Sequence, residues 1–337
     1  MDKKQIFSAD VLKLDYEKET TRITLKLREL LKQELKRRGF VVAISGGIDS
    51  SVTAALCVRA VGKERVMTLQ MPERHSASET ASLSATLAEH LETDTAMTDI
   101  SGILESVGFY EKYDAAVQSG IPGYGKGWKS KIVLPDIINQ TTISFYSIVA
   151  QSPQGEIIKQ RLPLKAYLEI LAATNFKQRI RKMLEYYHAD RLHYATTGTP
   201  NRLEYDQGFF VKLGDGAADV KPIAHLYKTQ VYQLAEYLGI PEKIRRRPPT
   251  TDTYSLEQSQ EEFYFALPYD KMDLCLYAKN NDISTAEVVR VTGLTTEQIQ
   301  RVFRDIDQKR STTHYLHLHA ILLGDVPEII KRLNPLS

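Results

Sequence analysis

The 337-residue chain is poor in cysteine: Cys57 and Cys275 lie far apart, in neither metal-like nor redox-like spacing, which argues against a disulfide framework. It also lacks a dominant charge, since 44 Lys and Arg face 42 Asp and Glu and leave a formal charge of +2, so no electrostatic footprint for nucleic acid is present. No uninterrupted apolar stretch is long enough to span a bilayer, and no membrane association is expected. The charged first residues, Met1 to Glu19, lack the apolar core of a signal peptide. A cytoplasmic location follows, and the sequon at Asn139-Gln140-Thr141 then carries no meaning. Repeats and low-complexity segments are absent as well.

What remains is a soluble composition, 42% hydrophobic and 26% charged, with strands and helices in alternation. Leucines and isoleucines at helical spacing predict an amphipathic helix over Tyr16 to Arg38. The apolar run Phe40 to Ile44 reads as a buried strand entering a turn, followed by a helix over Ser50 to Ala60. A strand over Val66 to Gln70, a helix over Ala77 to Leu91 and a short strand over Thr95 to Thr98 continue the rhythm. It resumes with a helix over Phe176 to Asp190, a strand over His193 to Thr197 and a helix over Lys228 to Leu238. This alternation predicts an α/β fold, a doubly wound parallel sheet with helices on both faces, in a single domain over 1–337.

Two regions depart from the pattern. Residues 101–172 form an atypical insertion with a Gly-rich basic loop, Gly120 to Trp128, and a hairpin flanking Ser152-Pro153-Gln154-Gly155. Tyr124, Lys126, Trp128, Lys129 and Lys131 give that loop the makings of a lid over a nucleotide-bearing substrate, or of an exposed elaboration for subunit contact. Residues 280–337 form a helical C-terminal subregion and tail. Its helices, Thr285–Thr292 and Thr296–Asp307, read as a terminal packing module, because a DNA-binding helix pair would be basic. The histidines at 314, 317 and 319 read as part of a packed strand or tail and not as a zinc site.

The chemistry starts at Ser45-Gly46-Gly47-Ile48-Asp49-Ser50-Ser51, between a strand and a helix. Two glycines let backbone approach a ligand and turn sharply. Hydroxyls and the N–H groups opening the next helix suit a pyrophosphate. Asp49 suits a bridging magnesium ion better than bare phosphate. This run resembles the SGG-x-DS loop of the ATP-pyrophosphatase superfamily, which splits ATP between its α- and β-phosphates. A second block contains Thr197-Gly198-Thr199-Pro200-Asn201-Arg202-Leu203-Glu204, Gly208-Phe209-Phe210, Gly214-Asp215-Gly216-Ala217-Ala218-Asp219 and Leu226-Tyr227-Lys228-Thr229. With Asn175 to Arg181, and Met71-Pro72 followed by Ser76 and Ser78, it is similar in content and order to the NAD synthetase family of ammonia-dependent type.

That resemblance implies a Rossmann-like fold and a homodimer. It also implies ATP- and Mg2+-dependent amidation of nicotinic acid adenine dinucleotide through an acyl-adenylate. By motif match, Ser45, Gly46, Gly47, Ile48, Asp49, Ser50, Ser51, Thr199, Lys228 and Thr250 bind ATP, and Asp49 and Glu204 hold Mg2+. Arg179, Lys212, Asp219 and Lys309 hold the dinucleotide, and Asp49 and Lys228 act in catalysis. No Ser/His/Asp or Cys/His constellation stands out, and the segment before Ser45 is too short for a glutamine-hydrolysing domain. The implied nitrogen donor is ammonia, free or from a separate supplying partner. Three departures bear on the acceptor: the stretch between the ATP loop and Gly198, which contains the 101–172 segment, is longer than usual; Gln308-Lys309-Arg310 replaces a His-Lys-Arg run; and in Gln260 to Ala266 aromatics replace an acid and a leucine of an acidic segment. Pro200 also stands where glycine is common. Another carboxylic acid in a specialised pathway stays open as the acceptor at this point.

Overall fold

A computed structural model of the chain describes residues 6–76, 78–133, 146–249, 253–256, 264–265, 267–324 and 326–327. Four strands form a parallel sheet: β1 (Phe40–Ala43), β2 (Val66–Gln70), β3 (Asp94–Met97) and β7 (Ala195–Thr196), in the order β3-β2-β1-β7. A single parallel bridge, Thr197 to Val220, extends it beyond β7. Three further strands, β4 (Lys129–Val133), β5 (Ser147–Gln151) and β6 (Ile157–Arg161), make a separate antiparallel sheet.

Period-two alternation divides the parallel sheet into two faces. Phe40, Val42 and Val66 pack with α1 (Tyr16–Gln33), α2 (Ile48–Val61) and α8 (Lys228–Tyr237). Val41, Met67 and Leu69 pack on the other face with α4 (Ser101–Ser106), α5 (Phe109–Gln118) and α6 (Leu164–Leu192). The doubly wound arrangement expected from the alternation is therefore present. Helices α3 (Ser78–Leu91), α7 (Arg202–Gln207) and α9 (Glu242–Arg246) complete this part. A third cluster holds α10 (Tyr269–Asn280), α11 (Thr285–Thr292) and α12 (Thr296–His317) against Phe7 and Leu12. There Val288, Ile299, Val302 and Ile306 are buried, so the terminal helix pair packs on its own chain.

Several boundaries differ from expectation for identifiable reasons. α1 ends at Gln33 and not Arg38, because Lys36 takes a left-handed conformation with φ of 49° and the chain turns into β1. α6 starts at Leu164, twelve residues before the expected Phe176, since its apolar residues face both the sheet and α5 and lack a single stripe. α12 runs through His317, so His314 and His317 are helical and not in a strand, while His319 lies in the tail beyond the helix. Thr312 and Thr313 donate back to the carbonyls of Gln308 and Lys309 within it. His317 meets the rings of Tyr205 and Phe210 edge-on, at 5.0 and 5.1 Å. Among the described residues the hairpin of the 101–172 segment is present as β5–β6, but α4 and α5 precede it and belong to the sheet's cover.

The strand order locates the site. From β1 the chain moves outward to β2 and β3, then returns to the opposite side of β1 as β7. The carboxyl ends of β1 and β7 thus part at a switch point, where open α/β sheets leave a crevice.

Candidate functional site

A cavity of about 1260 Å³ opens at this switch point. Segments following three parallel strands line it: Ile44 to Ser50 after β1, except Gly46, Met71 and Pro72 after β2, and Thr197 to Pro200 after β7. α6 contributes Arg179 and Lys182, and α12 contributes Gln308 and Lys309.

The loop after β1 is shaped by its glycines. Gly46 has φ of +67°, and a Cβ there would lie 2.7 Å from Leu83 Cβ and 3.0 Å from the Thr80 carbonyl oxygen. The loop therefore runs against α3 as only glycine permits. Gly47 is the N-cap of α2 and carries no side chain to satisfy the first amides, so the helix N-terminus faces the cavity as a partial positive pole. Ser50 and Ser51 both donate to the Gly47 carbonyl, at 3.1 and 2.8 Å. Ser51 is fully buried and absent from the cavity wall, which corrects its expected place at a phosphate: its hydroxyl closes the turn. Gly46 likewise shapes the loop from behind the wall.

Asp49 occupies the first turn of α2 and joins three elements. Its Oδ2 accepts from Lys228 Nζ, and its Oδ1 accepts from Asn201 Nδ2 at 3.0 Å. Asn201 is the N-cap of α7 in a reciprocal capping box: Glu204 N donates to Asn201 Oδ1 at 3.2 Å, and Asn201 N donates to Glu204 Oε2 at 3.1 Å. Asn201 thereby holds Asp49 and Glu204 in one network. Lys228 is completely buried, and burial opposes its charge, but Asp49 and Glu204 outweigh this and hold its ammonium above the ordinary lysine range. Asp49 and Glu204 line the cavity, whereas Lys228 supports them from behind.

The other expected residues are more scattered. Thr199, Arg179 and Lys212 line the cavity. Arg179 Nε donates to the Lys212 carbonyl at 3.3 Å, and Lys212 Nζ donates to that of Tyr315 at 2.6 Å. Asp219 does not line it; its Oδ2 accepts from Thr196 N at 2.7 Å and Thr196 Oγ1 at 3.2 Å, anchoring the end of β7. Lys309 lines the cavity but is buried, donating to the Tyr264 carbonyl and pairing with Asp305 at 2.6 Å under the Tyr264 ring. Burial pushes its ammonium below the usual range despite Asp305. It is thus engaged by its own chain and not presented to a ligand. Thr250 lies outside the described residues. Trp128 is packed beside Tyr124, whose hydroxyl accepts from Ser130, so the Gly-rich loop is tied into the second core cluster and is no lid on the cavity.

Some wall residues carry no sequence motif of their own. Arg247 donates to Thr80 Oγ1 at 2.9 Å and reaches the Ser45 carbonyl at 3.5 Å, pinning the loop to α3. Lys177 is buried against Glu73 at 2.7 Å, tying α6 to the segment after β2. Asn201 was legible as an N-cap from the glutamate three residues on, but its bond to Asp49 spans 152 residues. Among the described residues no group of three or more His, Cys, Asp or Glu is arranged to hold a metal. Two carboxylates are what magnesium ordinarily takes from a protein when substrate phosphates and water complete its octahedron, so Asp49 and Glu204 fit that ion.

A glycine-shaped strand–helix loop at the switch point, with a helix N-terminus and paired carboxylates facing a large cavity, defines a nucleotide-binding α/β protein. Comparison with known proteins narrows this. The NAD synthase family model matches residues 19–119 and 131–315, and the chain belongs to that family. It is 54% identical over 318 residues to the NH3-dependent NAD+ synthetase of Mesorhizobium japonicum, covering 94% of this chain and 100% of that protein. It is 56% identical over 324 residues to the protein of the same name from Rhizobium meliloti, covering 96% and 97%. The fold matches the solved NH3-dependent NAD synthetase of Campylobacter jejuni, with a TM-score of 0.59 at 23% identity, covering 92% of this chain and 100% of that one. The Mesorhizobium match leaves only 19 of the 337 residues unaligned, so most of the 101–172 segment is shared with that relative.

Proposed function

We propose that the chain amidates nicotinic acid adenine dinucleotide with ammonia at the expense of ATP, giving NAD, AMP and pyrophosphate. The observation that carries this in the structure is the Lys228–Asp49–Asn201–Glu204 network beside the N-terminus of α2. The names of relatives at 54 and 56% identity over nearly the whole chain favour this acceptor over another carboxylic acid.

A carboxylate is a poor electrophile, so its oxygen first attacks the α-phosphorus of ATP and pyrophosphate leaves. Ammonia nitrogen then attacks the acyl carbon, the C–O bond to AMP breaks, and the surplus proton passes to solvent. In this reading the α2 N-terminus and the Gly47–Ser50 backbone bind the phosphates, with Thr199 beside them. Lys228, from behind the wall, pairs with Asp49 and supplies positive charge beneath the departing pyrophosphate, while Asp49 holds that ammonium in place. Asp49 and Glu204 would hold magnesium, which when bound neutralises phosphate charge. Arg179 and Lys212 receive the dinucleotide, while Lys309 and Asp219 support the wall that receives it.

Exposed Leu164, Leu168, Met183 and Tyr187 recur along one side of α6, and Leu213 is exposed as well, which supports a homodimer. Among the described residues no helix is long and apolar enough to cross a membrane, and a cytoplasmic site of action accords with this reading. The test is direct. Purified protein with ATP, magnesium, ammonium and nicotinic acid adenine dinucleotide should form NAD and AMP in equal amounts. Absence of NAD while an alternative acid is amidated would overturn the assignment.

A further inference from the structure

Asp273 lies on α10, outside the cavity wall, and is completely buried. Its Oδ2 accepts from the backbone N–H of Thr229 at 2.7 Å, and its Oδ1 from that of Lys228 at 3.3 Å. These are the first two residues of α8, whose N-cap is Tyr227. A tyrosine cannot supply the short side-chain acceptor that Ser, Thr, Asp or Asn normally brings to this position. The cap instead comes across the fold, from a residue 45 positions later in the chain.

A buried carboxylate is costly unless hydrogen-bonded, and neutral residues cap helices adequately at the surface. Here the charge sits at the positive end of α8, directly behind the backbone of Lys228, whose side chain extends to Asp49. Burial pushes the Asp273 carboxyl up to about 6, against the opposing pull of the Thr229 and Lys228 amides and the Lys228 ammonium. We propose that Asp273 is a positioning residue: by clamping the first turn of α8 it fixes where the Lys228 ammonium stands relative to Asp49 and the phosphates. The helical C-terminal subregion is then part of the active-site scaffold. The inference rests on the role proposed for Lys228 in the function above.

Asp273→Asn keeps one acceptor oxygen but loses the charge and presents an amide to a backbone donor. A small displacement of a reacting group costs on the order of 100-fold in rate. The expected result is a kcat lowered about 10- to 100-fold, with KM for ATP within about threefold and an unchanged far-UV spectrum. Asp273→Ala should fall further in kcat, and Asp270→Asn, on the exposed first turn of the same helix, should match the wild type. Wild-type kcat in Asp273→Asn overturns the inference. So does a kcat loss that merely tracks a lower folded fraction, read by thermal melting. If the wild type makes no NAD, it is the proposed function that fails; if the wild type is active and Asp273→Asn equals it, only the positioning role fails.

Discussion

Replacing Gly46 by alanine isolates what the loop after β1 demands of its backbone. The residue sits at φ of +67°, where an L side chain costs roughly 1–2 kcal/mol. The new Cβ would also lie 2.7 Å from Leu83 Cβ and 3.0 Å from the Thr80 carbonyl, both on α3 and neither at the end of a flexible chain. Forcing a methyl into such packing costs roughly another 1–3 kcal/mol. A total of about 3 kcal/mol is expected. With 337 residues, an unfolding entropy of about 2.1 cal/mol/K per residue gives about 0.7 kcal/mol per degree, so Tm should drop by about 4 °C. Relief of the clash pushes the loop toward the cavity, so KM for ATP should rise as well. Gly47→Ala is the control for stability: its φ is ordinary and its Cβ would meet only Ser45 Oγ, at 3.3 Å. Thermal melts and ATP titrations of both variants decide the matter. If Gly46→Ala melts like Gly47→Ala and binds ATP like the wild type, the close approach to α3 does not constrain the loop.

Lys228→Met should lower kcat at least about 100-fold, and Asp49→Asn should do likewise, since each leaves its buried partner without its ion pair. Pyrophosphate release at near wild-type rate in both would refute their assigned roles. The fluorescence of Trp128, the single tryptophan, should stay unchanged on adding nicotinic acid adenine dinucleotide, because the ring packs beside Tyr124 and away from the cavity. A saturable change would restore the lid. His75 is pushed down to about 4, chiefly by burial and then by Lys177, with Glu73 pulling the other way. Its folded value lies below its unfolded one, so it contributes stability above about pH 6.5 that is lost as pH falls toward 4, up to about 3 kcal/mol. Urea midpoints at pH 7 and pH 4.5 should therefore differ less in His75→Gln than in the wild type, and an equal gap would contradict the buried neutral imidazole.

The alternation of strands and helices was legible because each element of the parallel sheet announces itself locally. Phe40 to Ala43 is short and wholly apolar, and Val66 to Gln70 is short and apolar except at Thr68 and Gln70, as strands covered on both faces read. The first turns of α6 carry no such local signal, because burial against both the sheet and α5 erases the polar face by which periodicity recognises a helix. The helical course of Thr312 to His317 was hidden for a different reason. β-branched and aromatic residues there favour strand locally, and the decision is made by contacts with Tyr205 and Phe210, more than a hundred residues earlier.

The site divides along the same line. Asp49, in the first turn of α2, and Glu204, in α7, both line the cavity, whereas Gly46 turns the loop from behind the wall. Single charged residues are less legible. Lys309 and Asp219 carry the charge a dinucleotide would want, yet the fold uses one to hold Tyr264 and the other to anchor Thr196. Charge is a property of the residue, whereas availability is a property of its neighbours, and only tertiary structure sets the second. Asp273 shows the converse, because nothing in Tyr269–Asn280 marks one aspartate as different from Asp270 until α8 is laid against it. A buried carboxylate facing two backbone amides is then hard to explain by stability alone, and its position behind Lys228 supplies the reason.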